Sequence, residues 1–261
     1  FFLLKIKITL MNNMRFDKIS KIKLKNPIFI CGLPDSGFVG KICSYHFIKG
    51  IKAIKFAELY SAFLPAQVIV NENGIIEPLK FEFYYKKGKQ DLIIFTGDVQ
   101  AETAEGQYNV SNAVLQFIKN YNCIKVYTLG AFVTPNPSNP PKVYGTANSN
   151  KSLKQLSKYG IENMKKGNII GMNGLLFSLA DKFGLEGFGI YSETRGDYPD
   201  PKAAKQLIKV ISKITGLKPN LRELSREEKR LKKFQNKDLQ NKDNNIESDT
   251  EIQNKTSRYI T

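Results

Sequence analysis

The chain has 261 residues with 41% hydrophobic residues, enough for one large domain with appendages or two small ones, and a formal net charge of +16. Residues 1–25 hold seven basic and one acidic side chain, residues 26–216 hold 22 and 15, and residues 217–261 hold 11 and 8, so no segment of the central region concentrates the charge. Most of the excess is Lys rather than the Arg forks favoured for phosphates and bases, and nucleic acid is therefore not an expected partner.

The first ten residues are apolar but broken by Lys5 and Lys7. They are too short to span a bilayer, which takes roughly 20 apolar residues, and they lack the charge pattern and small-residue cleavage site of a signal peptide. The run reads as a strand, or as translated sequence upstream of a start at Met11 or Met14. Residues 1–25 are accordingly set apart as an N-terminal segment, and the ordered domain is expected to begin near Pro27.

The apolar run 27–31 reads as a buried strand. It leads through glycines at 32, 37 and 40 into a helix with Phe38, Val39, Ile42, Cys43, Phe47 and Ile48 inward, ending at Gly50. This is the opening of a doubly wound α/β domain. Strands are predicted over 53–59 and 66–70, a turn at 71–74 and a meander over 75–85. A buried strand over 91–97, a helix over 107–121 and a strand over 124–130 follow. Residues 134–141 contain four prolines and form an irregular loop.

A short helix over 150–159 stops at Gly160, another runs over 175–182, and a strand covers 187–192. Asp200 and Pro201 then open a helix as N-cap and first helical residue, and it continues to Gly216. A capping-box pattern, Ser225-Arg-Glu-Glu228, marks a charged helix over 221–235, with Leu217, Leu221, Leu224, Leu231 and Phe234 spaced for packing. Residues 236–261 are polar and read as a disordered tail. The domain proper is assigned to 26–220.

Chemistry is sparse. Gly32 and Gly37 lack the Lys-Ser/Thr that a nucleotide P-loop places after its second glycine, and G-x-G-x-x-G is absent, so close strand–helix packing is the plainer reading. A glycine-rich turn before a helix nonetheless remains a candidate anion loop. The single histidine, His46, sits within the first helix and reads as a packing residue. With Cys31, Cys43 and Cys123 dispersed, neither a disulfide framework nor a metal site is expected, no cofactor is called for, and a reducing cytoplasm is the expected compartment. Carboxylates follow two strand ends: Asp98, Glu102 and Glu105 after the first, and Glu193 and Asp197 with Arg195 between them after the second. With Asp35 they define a candidate crevice outside the carboxyl ends of the strands.

Five stretches in order carry a resemblance. They are Gly32-Leu-Pro-Asp-Ser-Gly-Phe-Val-Gly40, Gly97-Asp-Val-Gln100, Leu129-Gly130 with Thr134-Pro135 and Val143-Tyr-Gly-Thr146, Ile170-Gly-Met-Asn-Gly-Leu-Leu176, and Glu193-Thr194 with Asp200-Pro-Lys-Ala-Ala204. Over residues 26–220 the chain resembles the proteasome assembly chaperone family in its archaeal form. The resemblance implies a three-layer α/β/α fold with a phosphorylase/hydrolase-like mixed sheet and a helical C-terminal extension. It also implies a non-enzymatic binding function, self-assembly into a homo-oligomer, and proteasome α-subunits as partners.

Some relatives end in hydrophobic-Tyr-X, a tail that docks between α-subunits. Here the end is Arg258-Tyr259-Ile260-Thr261, with Tyr259 third from the last residue, so these residues are the candidate partner contact in a shifted register. The candidate crevice or ligand loop comprises Gly32, Pro34, Asp35, Gly37, Gly40, Asp98, Gln100, Glu193 and Arg195. The alternative function is a small-ligand-binding protein or enzyme using that crevice.

Overall fold

The computed structural model describes residues 7–11, 13–231 and 233. Its centre is a run of four parallel strands, β8 (Leu92–Gly97), β3 (Ile28–Gly32), β9 (Lys125–Val133) and β12 (Glu186–Thr194), adjacent in that order. Every residue of β3 and β8 is buried, as continuous apolar strands covered on both faces must be.

Antiparallel strands extend both sides. Beyond β8 lie β7 (Phe81–Lys86), β4 (Ile54–Ser61), β2 (Met14–Lys18) and β1 (Lys7–Met11). On the other side β10 (Val143–Ala147) runs antiparallel to β12, and the two-residue β11 (Glu162–Asn163) closes that edge parallel to β10. A separate hairpin of β5 (Val68–Val70) and β6 (Ile76–Pro78) stands outside this ten-stranded sheet.

Helices cover both faces. α2 (Ala104–Lys119) and α4 (Met172–Leu179) pack one core, which includes the stacked pair Phe16 and Phe117, with ring centroids 4.7 Å apart. α1 (Val39–Ile51) and α5 (Pro201–Thr215) pack the other, joined by α3 (Asn150–Leu156). The arrangement is the expected three-layer α/β/α mixed sheet. α5 begins as its sequence dictates, with the Asp200 carboxylate accepting the Ala203 amide at 2.9 Å and Pro201 in the first turn.

Several boundaries differ from the sequence reading, each for a local reason. The sheet begins upstream of Pro27: Phe16 on β2 is fully buried, so part of the segment set apart as 1–25 belongs to the core. Helix α1 passes through Gly50 and ends at Ile51, capped by Lys52, which takes the left-handed conformation with φ 54°. Gly50 is there for a crossing chain, since a Cβ on it would lie 2.6 Å from Pro219, and its carbonyl accepts the Asn220 amide. Helix α2 starts at Ala104, three residues early, because the Thr103 hydroxyl caps the Gly106 amide at 3.0 Å.

The C-terminal helix, α6 (222–231), starts before Ser225, whose amide already bonds the Leu221 carbonyl, so the capping-box pattern lies inside the helix. It does not float free. Leu224 is buried in the α1–α5 core, and His46 Nε2 meets Glu227 Oε2 at 2.8 Å. Lys49–Glu223 and Lys205–Glu228 pair around them. His46 is therefore a packing residue that also ties α6 to α1. Phe234 and the tail residues Tyr259, Ile260 and Thr261 lie outside the described residues.

Candidate functional site

At the carboxyl end of β3 the chain must turn sharply into α1. The close approach is extreme: a Cβ on Gly32 would sit 2.3 Å from the Gly40 carbonyl oxygen, and one on Gly40 would sit 2.5 Å from that of Leu129. These glycines let α1 press against β3 and β9. Phe38 in the same turn has φ 51°, a left-handed conformation that a non-glycine residue holds only at a cost of about 1–2 kcal/mol.

Asp35 lies in this turn. Its Oδ1 accepts the Gly40 amide at 3.0 Å. Its Oδ2 is buried and makes no well-formed hydrogen bond among the described residues, although it lies against the β9 backbone, where a Cβ on Gly130 would be 3.1 Å from it. Burial pushes the Asp35 carboxyl up to about 7, while the amides of Gly40, Ala131 and Val39 pull the other way. Below the turn, Cys31 Sγ approaches the Asn173 side-chain oxygen at 4.0 Å, and the Tyr191 hydroxyl donates to the Asn173 carbonyl at 3.2 Å. Burial raises the Cys31 thiol well above its ordinary value, with the nearby Asp35 adding to the effect. All three cysteines are buried and unpaired.

Gln100 acts as a clamp. Its Nε2 donates to the Pro34 carbonyl at 2.7 Å and its Oε1 accepts the Met172 amide at 2.8 Å. One side chain therefore joins the β3–α1 turn to the start of α4. Gly171, the residue before that helix, has φ 84° and ψ −173°, and a Cβ there would lie 2.6 Å from Gln100 Oε1.

Asp98 leans back toward the sheet. Its Oδ2 accepts the Lys80 amide at 3.2 Å, and Lys41 Nζ lies 3.9 Å from its Oδ1 while donating to the Gly97 carbonyl at 2.6 Å. Burial raises the Asp98 carboxyl against the pull of Lys41, and burial lowers the Lys41 ammonium against the pull of Asp98.

Around these groups opens a cleft of about 1180 Å³. Pro34, Asp35, Asp98, Gln100, Asn173 and Tyr191 line its inner part, the hairpin supplies Gln67 and Ile69, and the 164–171 loop supplies Lys165, Lys166 and Ile170. Of the sequence-predicted crevice, Pro34, Asp35, Asp98 and Gln100 meet here, and Gly32, Gly37 and Gly40 shape the turn behind them.

Glu193 does something else. It accepts from the Ser138 amide at 2.7 Å, the Lys142 amide at 3.1 Å and the Tyr144 hydroxyl at 3.0 Å, and so holds the proline-rich loop. Burial opposes its charge, but these donors win and hold its carboxyl below the usual range. Arg195 is a correction: it is exposed, pairs with Asp197 at 2.9 Å and does not line the cleft, because β12 ends at Thr194 and the chain turns outward. Glu102 and Glu105 are exposed at the start of α2. Sequence reasoning missed Asn173, Tyr191 and the lysines of the 164–171 loop, which only the folding together of β12, α4 and β11 brings to one place.

A mixed sheet covered on both faces, with a cleft outside the carboxyl ends of its parallel strands, defines a three-layer α/β/α protein of the phosphorylase/hydrolase-like type. The chain belongs to the PAC2 family, whose model matches residues 29–237. It is 33% identical over 212 residues to an uncharacterized protein of Methanocaldococcus jannaschii, covering 81% of this chain and 82% of the relative. Among solved structures it is similar to Pyrococcus furiosus PbaB, described as an archaeal proteasome activator. The TM-score is 0.82 and the identity 30%, over 87% of this chain and 99% of that one. It is also similar to Pyrococcus furiosus PbaA, described as an archaeal homolog of proteasome-assembly chaperone. There the TM-score is 0.70 and the identity 28%, over 84% and 92% of the two chains. The resemblance seen in the five sequence stretches is thus that of an archaeal-type member of this family.

Proposed function

We propose that this protein is a protein-binding factor of the proteasome assembly chaperone type, working as a homo-oligomer that engages proteasome α-subunits and not as an enzyme. The observation that carries the reading is the similarity to PbaB along nearly the whole of both chains, at 30% identity. α6 supports it, because the helix is fastened to the domain through Leu224 and the His46–Glu227 contact. A fastened helix gives the polar tail beyond it a fixed origin from which Tyr259, Ile260 and Thr261 can reach a partner.

The test is co-purification with the proteasome α-subunit of the same source at low and high salt. A complex that survives high salt supports the reading; elution of the two proteins apart at both salt concentrations removes it. Tyr259→Ala is expected to weaken the complex, and an unchanged yield of captured α-subunit would remove the tail from the interface.

A second reading has one observation in its favour: the buried Oδ2 of Asp35, which makes no well-formed hydrogen bond among the described residues, beside the cleft of about 1180 Å³. A carboxyl held this way suits a site that takes a small polar ligand. A thermal-shift screen of the wild type and Asp35→Asn separates this from the first reading, since a ligand of the cleft must stabilise the wild type and lose that effect in the variant.

A further inference from the structure

The first turn of α4 leaves one backbone donor over. Gln100 Oε1 takes the Met172 amide, and the Gly174 and Leu175 amides both reach the Gly171 carbonyl, at 3.0 and 3.1 Å. The Asn173 amide has no hydrogen-bond partner among the described residues. A helix begins with unmatched N–H groups and with the positive end of its dipole, so an open amide there suits an anion.

A helix start alone specifies nothing, and the Asn173 side chain supplies a second observation. Asn173 is 4% exposed and lines the cleft. Its side-chain oxygen meets only Cys31 Sγ, at 4.0 Å, and its side-chain nitrogen donates to no group among the described residues. A buried amide normally finds partners for its N–H groups. The side-chain atoms that packing both occludes and leaves without a well-formed hydrogen bond are Asp17 Oδ1, Asp35 Oδ2 and Ser111 Oγ. Asn173 Nδ2 is not one of them, so it keeps an open surface, and the cleft is the open space this residue borders. One residue thus offers a main-chain and a side-chain N–H at the same wall. The Tyr191 hydroxyl, donating to the Asn173 carbonyl, and the Gln100 clamp hold it in place.

The surrounding charge agrees. Lys165 and Lys166 on the rim are exposed and make no ion pair among the described residues, while Lys142 pairs with Glu162 at 3.7 Å. Of the two carboxyl groups inside, Asp98 has Lys41 beside it at 3.9 Å, and Asp35 stays largely protonated below about pH 7. The cleft, about 1180 Å³, is far larger than a simple ion and matches the upper end of small-molecule sites, roughly 300–1,000 Å³.

We propose that Asn173 at the start of α4 is an oxyanion subsite, which takes the phosphate or carboxylate end of a small molecule whose remainder lies between β9 and the 164–171 loop. This rests on the small-ligand reading of the cleft and adds the chemistry of the ligand's charged end.

Isothermal titration calorimetry below pH 7 tests it, with inorganic phosphate and adenosine monophosphate as the phosphate arm and citrate as the carboxylate arm. The wild type is expected to bind at least one of them saturably. Asn173→Asp keeps the shape of the side chain and sets an acid in a first helical turn, where the dipole favours it. It also turns the donor into a repelling acceptor, so affinity is expected to fall about tenfold or more. Saturable binding that the folded variant leaves unchanged overturns the subsite.

Crystals of the wild type grown with selenate need no variant. An anomalous peak within hydrogen-bond distance of Asn173 N and Nδ2 is expected, and peaks confined to surface lysines, or none, overturn the assignment. A neutral compound that stabilises the wild type and loses that effect in Asp35→Asn, with no oxyanion bound, overturns the subsite and leaves the cleft a ligand site. Binding of neither kind overturns both.

Discussion

Asp35 and Glu193 are both carboxylates at the carboxyl ends of the parallel strands, and their surroundings push them in opposite directions. Asp35 is buried with one oxygen unmatched, so its folded value is about 7 against an ordinary 3.8. Below about pH 4 both folded and unfolded chains carry its proton and folding meets no penalty. As the pH rises towards 7 the unfolded chain ionises first, so stability is lost across that window and levels off above it. Asp35→Asn is therefore expected to flatten the fall of unfolding free energy between pH 4 and 7, gaining on the order of 2–4 kcal/mol over the wild type at pH 8. Urea titrations across that range check it, and parallel pH profiles for the two proteins would refute it. Glu193 has the other sign: its stabilising effect is present above its unfolded value and lost as the pH falls through the folded one. Gly171→Ala belongs to this scale too. Its φ of 84° with ψ of −173° is a region open almost only to glycine, and the new methyl would meet Gln100 Oε1. A loss of about 1–3 kcal/mol in denaturant unfolding is expected.

Among the elements, α6 depends most on tertiary contact. Its ion pairs Lys49–Glu223 and Lys205–Glu228 are partly or largely exposed and contribute little. Leu224 is fully buried and does the anchoring. Leu224→Ala is expected to destabilise the protein by about 2–4 kcal/mol. The loss should be local, with hydrogen exchange accelerating across 222–231 while β3 and β8 stay protected. Uniform acceleration over the whole sheet would show that α6 is not a separate unit. The β5–β6 hairpin is the opposite case, since Val68, Val70 and Ile76 on its outward face are exposed and make no core contact among the described residues.

For the whole molecule, the net charge of +16 has no concentrated patch in the domain sequence, and acidic side chains such as Glu58, Glu82 and Glu186 are spent on neighbouring lysines. The proposed association with an α-subunit is then expected to change little between low and high salt. Binding that collapses as salt rises would instead mark a counterion-driven contact with an acidic surface.

What the sequence by itself determined is what one segment can specify alone. Fully apolar runs marked β3 and β8 as interior strands, Asp200-Pro201 opened α5, and Gly160 and Gly216 stopped their helices, because periodicity and capping are local. Asp35 and Asp98 were legible as cleft residues for the same reason, since each follows a recognisable strand end, while Pro34 and Gln100 were marked by the stretches that carry the family resemblance. Tertiary structure alone decided the rest. Residues 143–147 are a short run broken by Gly145 and become β10 because the open edge of β12 pairs with them. Residues 14–18 join the core because Phe16 finds Phe117 across more than a hundred residues of chain. Arg195 left the crevice because the chain turns after Thr194, and Asn173 and Tyr191 entered it because α4 packs over β12. Non-local pairing and close packing choose among segments whose local preferences are silent, and they are properties of the assembled sheet.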